Sequence, residues 1–306
     1  MSAPPSAPPS APPSAPPSAP PSAPWRWREA PAAPDRLALT GALTPDWYQG
    51  RGVFGGVQAA VLLDAMERLA ARRTPGRPPR TLTVRCLAPA TEGAARVEAW
   101  AESAGGRVTH LSAALRRAGG EGAGEGAGEG AGERAGDLIA LASATFAHAR
   151  ESALAHPAEP APPAPPPEEA REVPPGLPLM PRFTQHLSFR FCLGAPPYAR
   201  AATPELGGWC DLRPPHSAAP LDFPTLALLL DSWAPAHFAA LAAPLPAASV
   251  EFSYHFLVTD PAALERPLLF RGRSLSVVDG YSEERGWLWD RAGRPVAVAR
   301  QLVAIG

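Results

Sequence analysis

A carboxylate breaks a strongly apolar stretch of the chain. Leu226, Ala227, Leu228, Leu229 and Leu230 run directly into Asp231. The segment is apolar nearly all round, which predicts burial. An ionised carboxylate there is costly unless it is hydrogen-bonded or put to chemical use; a structural cap or pair is the alternative. Gln301 sits on the final strand and by period-two alternation shares a face with Ala297, Ala299, Val303 and Ile305. The alanines leave room beside an amide that needs partners, which a substrate carbonyl, a water or a neighbouring loop could supply. Ser249 follows Asp231 by 18 residues, on the strand after the helix. Alternation groups it with Glu251, Ser253 and His255, and sets Val250, Phe252, Tyr254 and Phe256 opposite. A strand serine is commonly just solvated or packed; this one stands out by its offset. As a covalent nucleophile it lacks a G-x-S-x-G elbow, and although His255 shares its face, no third member follows.

Other chemistries find less support. His110, His216 and His237 lack metal-ligand spacing, so no metal or cofactor is expected. Cys86, Cys192 and Cys210 are odd in number and form no C-x-x-C pair. Neither a disulfide framework nor a zinc site follows, and a reducing cytoplasm is the expected location. The 28 basic and 29 acidic side chains give a formal charge of −1, which gives no reason to expect nucleic acid or an anionic membrane as partner. No apolar run reaches the roughly 20 residues needed to span a bilayer. The N-terminus does not read as a secretory signal, nor the C-terminus as a peroxisomal address.

These side chains need a scaffold. Residues 1–24, a Ser-Ala-Pro-Pro repeat, are expected to be an extended tail. Residues 25–156 form a first half. It has a helix at 55–73, opened by Gly55-Gly56 and closed by Pro75-Gly76, with Asp64, Glu67, Arg68 and Arg72 on one face. Strands follow at 81–87, 94–103, 108–116 and 138–148. The last two flank a Gly-Glu-Gly-Ala repeat at 119–136, read as a flexible hairpin loop. Residues 157–180, rich in Pro, read as a linker. The second half, 181–306, has strand material at 185–191 and 209–212 and a helix at 224–240, which Pro235 kinks or ends early. Strands follow at 248–257, 268–277, 282–289 and 296–305. In each half a curved antiparallel sheet wrapping one long helix would bury that helix.

The stretch Val53-Phe54-Gly55-Gly56-Val57-Gln58 resembles the segment that opens the first helix in the acyl-CoA thioesterase II family. Cys86-Leu87-Ala88-Pro89 is similar to that family's Phe-Leu-x-Pro strand end, and Gly105-Gly106-Arg107 to its Gly-Arg-Ser turn. Asp231 looks like its helix aspartate, Ala248-Ser249-Val250-Glu251 like the strand with its Ser or Thr, and Trp287 through Gln301 like its final hairpin. The likeness covers roughly residues 47–306, outside the Gly-Glu loop and the Pro-rich segment.

The resemblance implies an α+β double hotdog that hydrolyses acyl-CoA. Asp231 would act as base or orient a water, with Ser249 and Gln301 holding that water. A backbone N–H at Gly55 or Gly56 would polarise the thioester carbonyl, or the glycines would instead allow close helix–sheet packing. Arg107, Arg116, Arg117, Arg271 and Arg273 are the candidates for the CoA phosphates. Trp209, Trp233, Phe238 and Phe256 would line an acyl tunnel or pack the core. Homo-oligomers are expected by the same resemblance. A hydratase or dehydratase acting on acyl thioesters and a non-catalytic acyl-CoA-binding module are the competing readings.

Overall fold

The computed structural model describes residues 23–118, 136–154, 156 and 158–306. The tail at 1–22 and the Gly-Glu repeat at 119–135 lie outside the described residues. Strands β1 (Arg28–Ala30), β2 (Arg36–Leu43), β3 (Tyr48–Gln49) and β4 (Gly52–Val53) precede helix α1 (Gly55–Arg73). Strands β5 (Pro79–Cys86), β6 (Gly93–Ala104), β7 (Val108–Arg117) and β8 (Leu138–Ala147) follow. The second half opens with β9 (Arg171–Glu172), β10 (Leu187–Gly194) and β11 (Glu205–Leu212), then helix α2 (Phe223–Leu230). It closes with β12 (Ala247–Phe256), β13 (Leu268–Val278), β14 (Tyr281–Trp289) and β15 (Pro295–Ile305).

Apart from the β3–β4 ribbon, the described strands join in one 13-stranded sheet, in the order β1-β2-β6-β7-β8-β5-β12-β15-β14-β13-β11-β10-β9. The halves meet where β5 pairs antiparallel with β12, setting Val84 opposite Phe252 and Leu82 opposite Tyr254. α1 and α2 pack against each other, and one hydrophobic core takes residues from both helices and both sides of the β5–β12 seam. Alternation along β12 explains the seam: Phe252, Tyr254 and Phe256 are buried, whereas His255 is exposed.

One expectation needs correction, and two further features were not read in the sequence. The second helix stops at Leu230 instead of reaching residue 240. Pro235 cannot donate within a helix and disfavours helical geometry at the residue before it. Ser232 also turns its hydroxyl back onto the Leu229 carbonyl, at 2.7 Å. Asp231 is therefore the C-terminal cap of a helix of 8 residues, at φ −101° and ψ 2°. The Pro-rich segment lies against the second half's sheet: the indole N–H of Trp209 donates to the Pro165 carbonyl and that of Trp289 to the Glu159 carbonyl, both at 2.9 Å. In addition, β1 and β2 extend the sheet ahead of α1. Among the described residues no helix is long and apolar enough to cross a membrane.

Candidate active site

The first turn of α1 lacks a cap of its own. Its N-cap is Phe54, which offers no side-chain acceptor, and no acidic residue lies in the first turn. Free N–H groups and a partial positive charge therefore face outward from this helix end. Asp231, arriving from the end of α2, meets them: the Gly56 N–H donates to its carboxylate. Burial pushes the Asp231 carboxyl well above its ordinary value, and the Gly56 hydrogen bond opposes that rise. The two glycines make the approach possible. A Cβ on Gly56 would lie 2.9 Å from the Leu228 carbonyl oxygen of α2, and one on Gly55 would meet both the Asp231 carboxylate and the Phe252 ring at 2.8 Å. The Gly56 N–H thus faces Asp231, and neither glycine position has room for a side chain.

Gln301 and Ser249 come together through a β-bulge. Gln301 lies opposite Phe252, so it shares the buried face of Phe252 and Tyr254. Strict alternation would leave Ser249 on the other face with His255. The register between β12 and β15 shifts between Ser249 and Glu251, and this extra residue brings Ser249 to Gln301. The Gln301 amide donates to the Ser249 hydroxyl at 2.6 Å. His255 stays exposed on the opposite face, so the Ser249–His255 pairing considered from alternation does not form.

Asp231 and Gln301 line one cavity, together with Trp233, Phe252, Tyr254, Phe270, Glu284 and Arg285. Its volume is about 30 Å³, room for water and not for an acyl chain. One wall is the segment after α2, where Trp233 stacks on Phe270 at 6.0 Å between ring centroids. Glu284 fixes that wall. It is buried, lies opposite Gln301, accepts the backbone N–H groups of Ala236 and His237 at 2.7 and 3.1 Å, and pairs with His237 Nδ1 at 2.5 Å. Cys86 lies close enough to Asp231 to feel its charge; burial and that charge push the thiol up to about 12, so it is not a nucleophile at neutral pH.

The structure separates Arg107 from this cavity. Arg107 is exposed in the β6–β7 turn. Arg77 holds that turn through the carbonyls of Gly105 and Gly106, and Thr109 beside it meets Thr74 at the far end of α1. A 19-residue helix spans about 28 Å, which is the order of distance from the Asp231 end. Arg271 and Arg273 both pair with Glu205. Arg285 borders the cavity, but its side chain is exposed and pairs with Glu283 at 3.6 Å. It was missed in the sequence, as was Glu284; Ser274, Ser282 and Glu284, polar residues buried on adjoining strands, were the readable signal. Of the four aromatics, Trp233 lines the cavity, Phe256 packs in the core, Phe238 stacks on Tyr198, and Trp209 lies beneath the Pro-rich segment.

The same frame recurs in solved structures. A conserved protein of unknown function with hot dog fold from Alicyclobacillus acidocaldarius superposes with a TM-score of 0.73 at 24% identity, over 91% of this chain and 96% of that one. A candidate thioesterase II from Thermobifida fusca gives 0.69 at 25% identity, over 91% and 95%. The acyl-CoA thioesterase II TesB2 of Mycobacterium marinum gives 0.64 at 18%, over 91% and 96%. None of the curated proteins matches this chain. These likenesses concern the fold; family models show the membership. The acyl-CoA thioesterase N-terminal domain matches residues 43–147 and the C-terminal domain matches residues 157–305. With both domains present in order and across most of its length, the chain belongs to the acyl-CoA thioesterase family.

Proposed function

We propose that this protein is a double hotdog that hydrolyses acyl-CoA to a free acid and CoA, with Asp231, Gln301 and Ser249 directing the attacking water. The observation that carries the reading is the shared cavity: a half-buried carboxylate and an amide held by a hydroxyl face a space of water size. Asp231 takes the proton as water adds to the thioester carbonyl, which its raised affinity for protons suits. Gln301 orients that water, and Ser249 holds Gln301. No covalent enzyme intermediate is needed. The acyl chain enters by displacing the Trp233–Phe270 wall. Among the described residues no His lines the cavity, and His237 behind its wall is paired with Glu284.

The same reading places the protein in a reducing cytoplasm, consistent with three free cysteines, and as a homo-oligomer. Leu275, Val277, Val278 and Tyr281, all exposed around the β13–β14 hairpin, support self-association. Thiol release from acyl-CoAs of graded chain length tests the activity. Turnover by wild type that vanishes in Asp231→Asn supports it; binding without turnover would leave the non-catalytic module.

A further inference from the structure

Tyr254 lies at the centre of β12 and is fully buried, its ring stacked on Phe252 at 6.0 Å. Its hydroxyl has no hydrogen-bond partner among the described residues, yet the residue lines the cavity of Asp231 and Gln301. Leaving a buried hydroxyl unpaired is unfavourable, and a ligand atom in the cavity would satisfy it. Two neighbouring donors are already engaged: the Gly56 N–H serves Asp231 and the Gln301 amide serves Ser249. The Trp233 indole N–H is, like the Tyr254 hydroxyl, without a partner among the described residues, but it sits on the wall after α2 and not on the strand beside Asp231 and Gln301. Burial, with the charge of Asp231 nearby, pushes the phenol well above its ordinary value, so the proton stays on the oxygen at any working pH.

We propose that the Tyr254 hydroxyl is a catalytic hydrogen-bond donor to the carbonyl oxygen of the bound thioester. This rests on reading the cavity as a thioester-hydrolysis site. When water adds, the new C–O bond forms as the carbonyl pair moves onto oxygen, and Tyr254 stabilises that negative charge without giving up its proton. The water proton goes to Asp231. The carbonyl then reforms, the C–S bond breaks, and the departing CoA thiolate takes the proton from Asp231. A fixed donor aimed at charge that develops in the transition state acts on turnover more than on binding.

The test uses Tyr254→Phe in the full chain, which keeps the buried ring and removes one oxygen. In steady-state hydrolysis kcat falls about 100-fold, with KM within about threefold. A ketone analogue of acyl-CoA, with a methylene in place of sulfur and a labelled carbonyl, gives a second readout by isotope-edited infrared spectroscopy. Its carbonyl band shifts to lower frequency on binding wild type, and the variant loses that shift. Unchanged kcat with an unchanged band overturns the role of Tyr254 and leaves the hydrolase reading standing. A Tyr254-dependent band shift in a wild-type protein without turnover supports the contact and sinks the hydrolase reading. A wild-type protein that neither hydrolyses acyl-CoA nor binds the analogue overturns both.

Discussion

A Cβ on Gly55 would lie 2.8 Å from the Oδ2 atom of Asp231. The bare first turn of α1 and the carboxylate at the end of α2 are fitted to each other, and no side chain fits between them. One helix supplies the donors, the other the acceptor, and they come from opposite halves of the chain. Gly55→Ala should therefore act on catalysis first. The backbone conformation tolerates alanine, and alanine favours helix by up to about 1 kcal/mol, but the methyl group must displace Asp231 or Phe252. We expect kcat to fall about 10- to 100-fold, since a misplacement of about 1 Å can carry that cost. Gly106→Ala, at an exposed position where a Cβ meets nothing within 4 Å, is the control and should leave turnover unchanged.

Asp231→Asn separates stability from activity. Burial raises the folded-state pKa of Asp231 above its unfolded value. The folded state therefore holds this proton more tightly, and the stability gained at low pH is lost as pH rises through the folded pKa. Asparagine does not titrate and escapes that loss. The variant should melt higher than wild type at pH 8, with the difference narrowing toward pH 4, while thiol release disappears. In wild type the basic form does the work, so kcat should fall as pH drops, with a midpoint above the ordinary 3.8 of an aspartate. A lower melting temperature for the variant at pH 8 would contradict this electrostatic account.

From α1 onward the first half was legible because its signals are local, whereas β1 and β2 ahead of it went unread. The Gly55-Gly56 start, the Pro75-Gly76 stop and the helical spacing between them gave α1 with its observed ends. The second helix was not, because its end depends on competition: Leu230 favours continuing, whereas Ser232 turns its hydroxyl onto the Leu229 carbonyl and Pro235 has no N–H to donate. Asp231 was legible as a charge among leucines, but its partner Gly56 lies in the other half, and no spacing in the sequence encodes that meeting. Ser249 was named on its offset yet assigned the wrong face, since alternation carries no mark of a bulge. Alternation set Tyr254 with Phe252 and Phe256 on the face opposite Ser249, with nothing to mark it among them; only its unpaired hydroxyl beside a carboxylate distinguishes it.

Gln301 lines the cavity, whereas Ser249 reaches it through Gln301. Their substitutions should differ in size and fail to add. Gln301→Ala should lower kcat about 100-fold, and Ser249→Ala about 3- to 10-fold, the value of one modest hydrogen bond. The double variant should be no slower than Gln301→Ala alone, because the serine acts on the amide that is already gone. Multiplicative effects in the double variant would mean that Ser249 touches substrate or water directly.

Trp233 should govern which acyl chains enter. Its ring packs on Phe270 and edge-on against Phe189 at 5.1 Å, closing the cavity at the end of α2. Trp233→Ala removes the largest movable part of that wall. We expect kcat/KM for long-chain relative to short-chain acyl-CoA to rise about tenfold or more, because each buried methylene contributes about 0.8 kcal/mol. An unchanged ratio across the series would place the acyl chain along another wall.

Glu67 gives a pH-dependent stability that does not involve the cavity. On α1 it faces an acidic cluster in which Arg26 bridges buried Asp64 to Asp222, the N-cap of α2, and Arg68 also pairs with Asp64 at 2.7 Å. Burial, then the charges of Asp222 and Asp64, push the Glu67 carboxyl up to about 8, with Arg26 pulling the other way. The folded pKa exceeds the unfolded one, so the stabilising contribution is complete below the ordinary 4.5 and is lost as pH climbs through about 8. Glu67→Gln keeps the shape and removes the charge that folding disfavours. Its melting temperature should match wild type near pH 5 and exceed it by about 3 °C or more at pH 9. Thermal melts at both pH values decide the matter. An equal difference at the two, or a variant that melts lower at pH 9, would show that Arg26 dominates and that Glu67 is held as a carboxylate throughout.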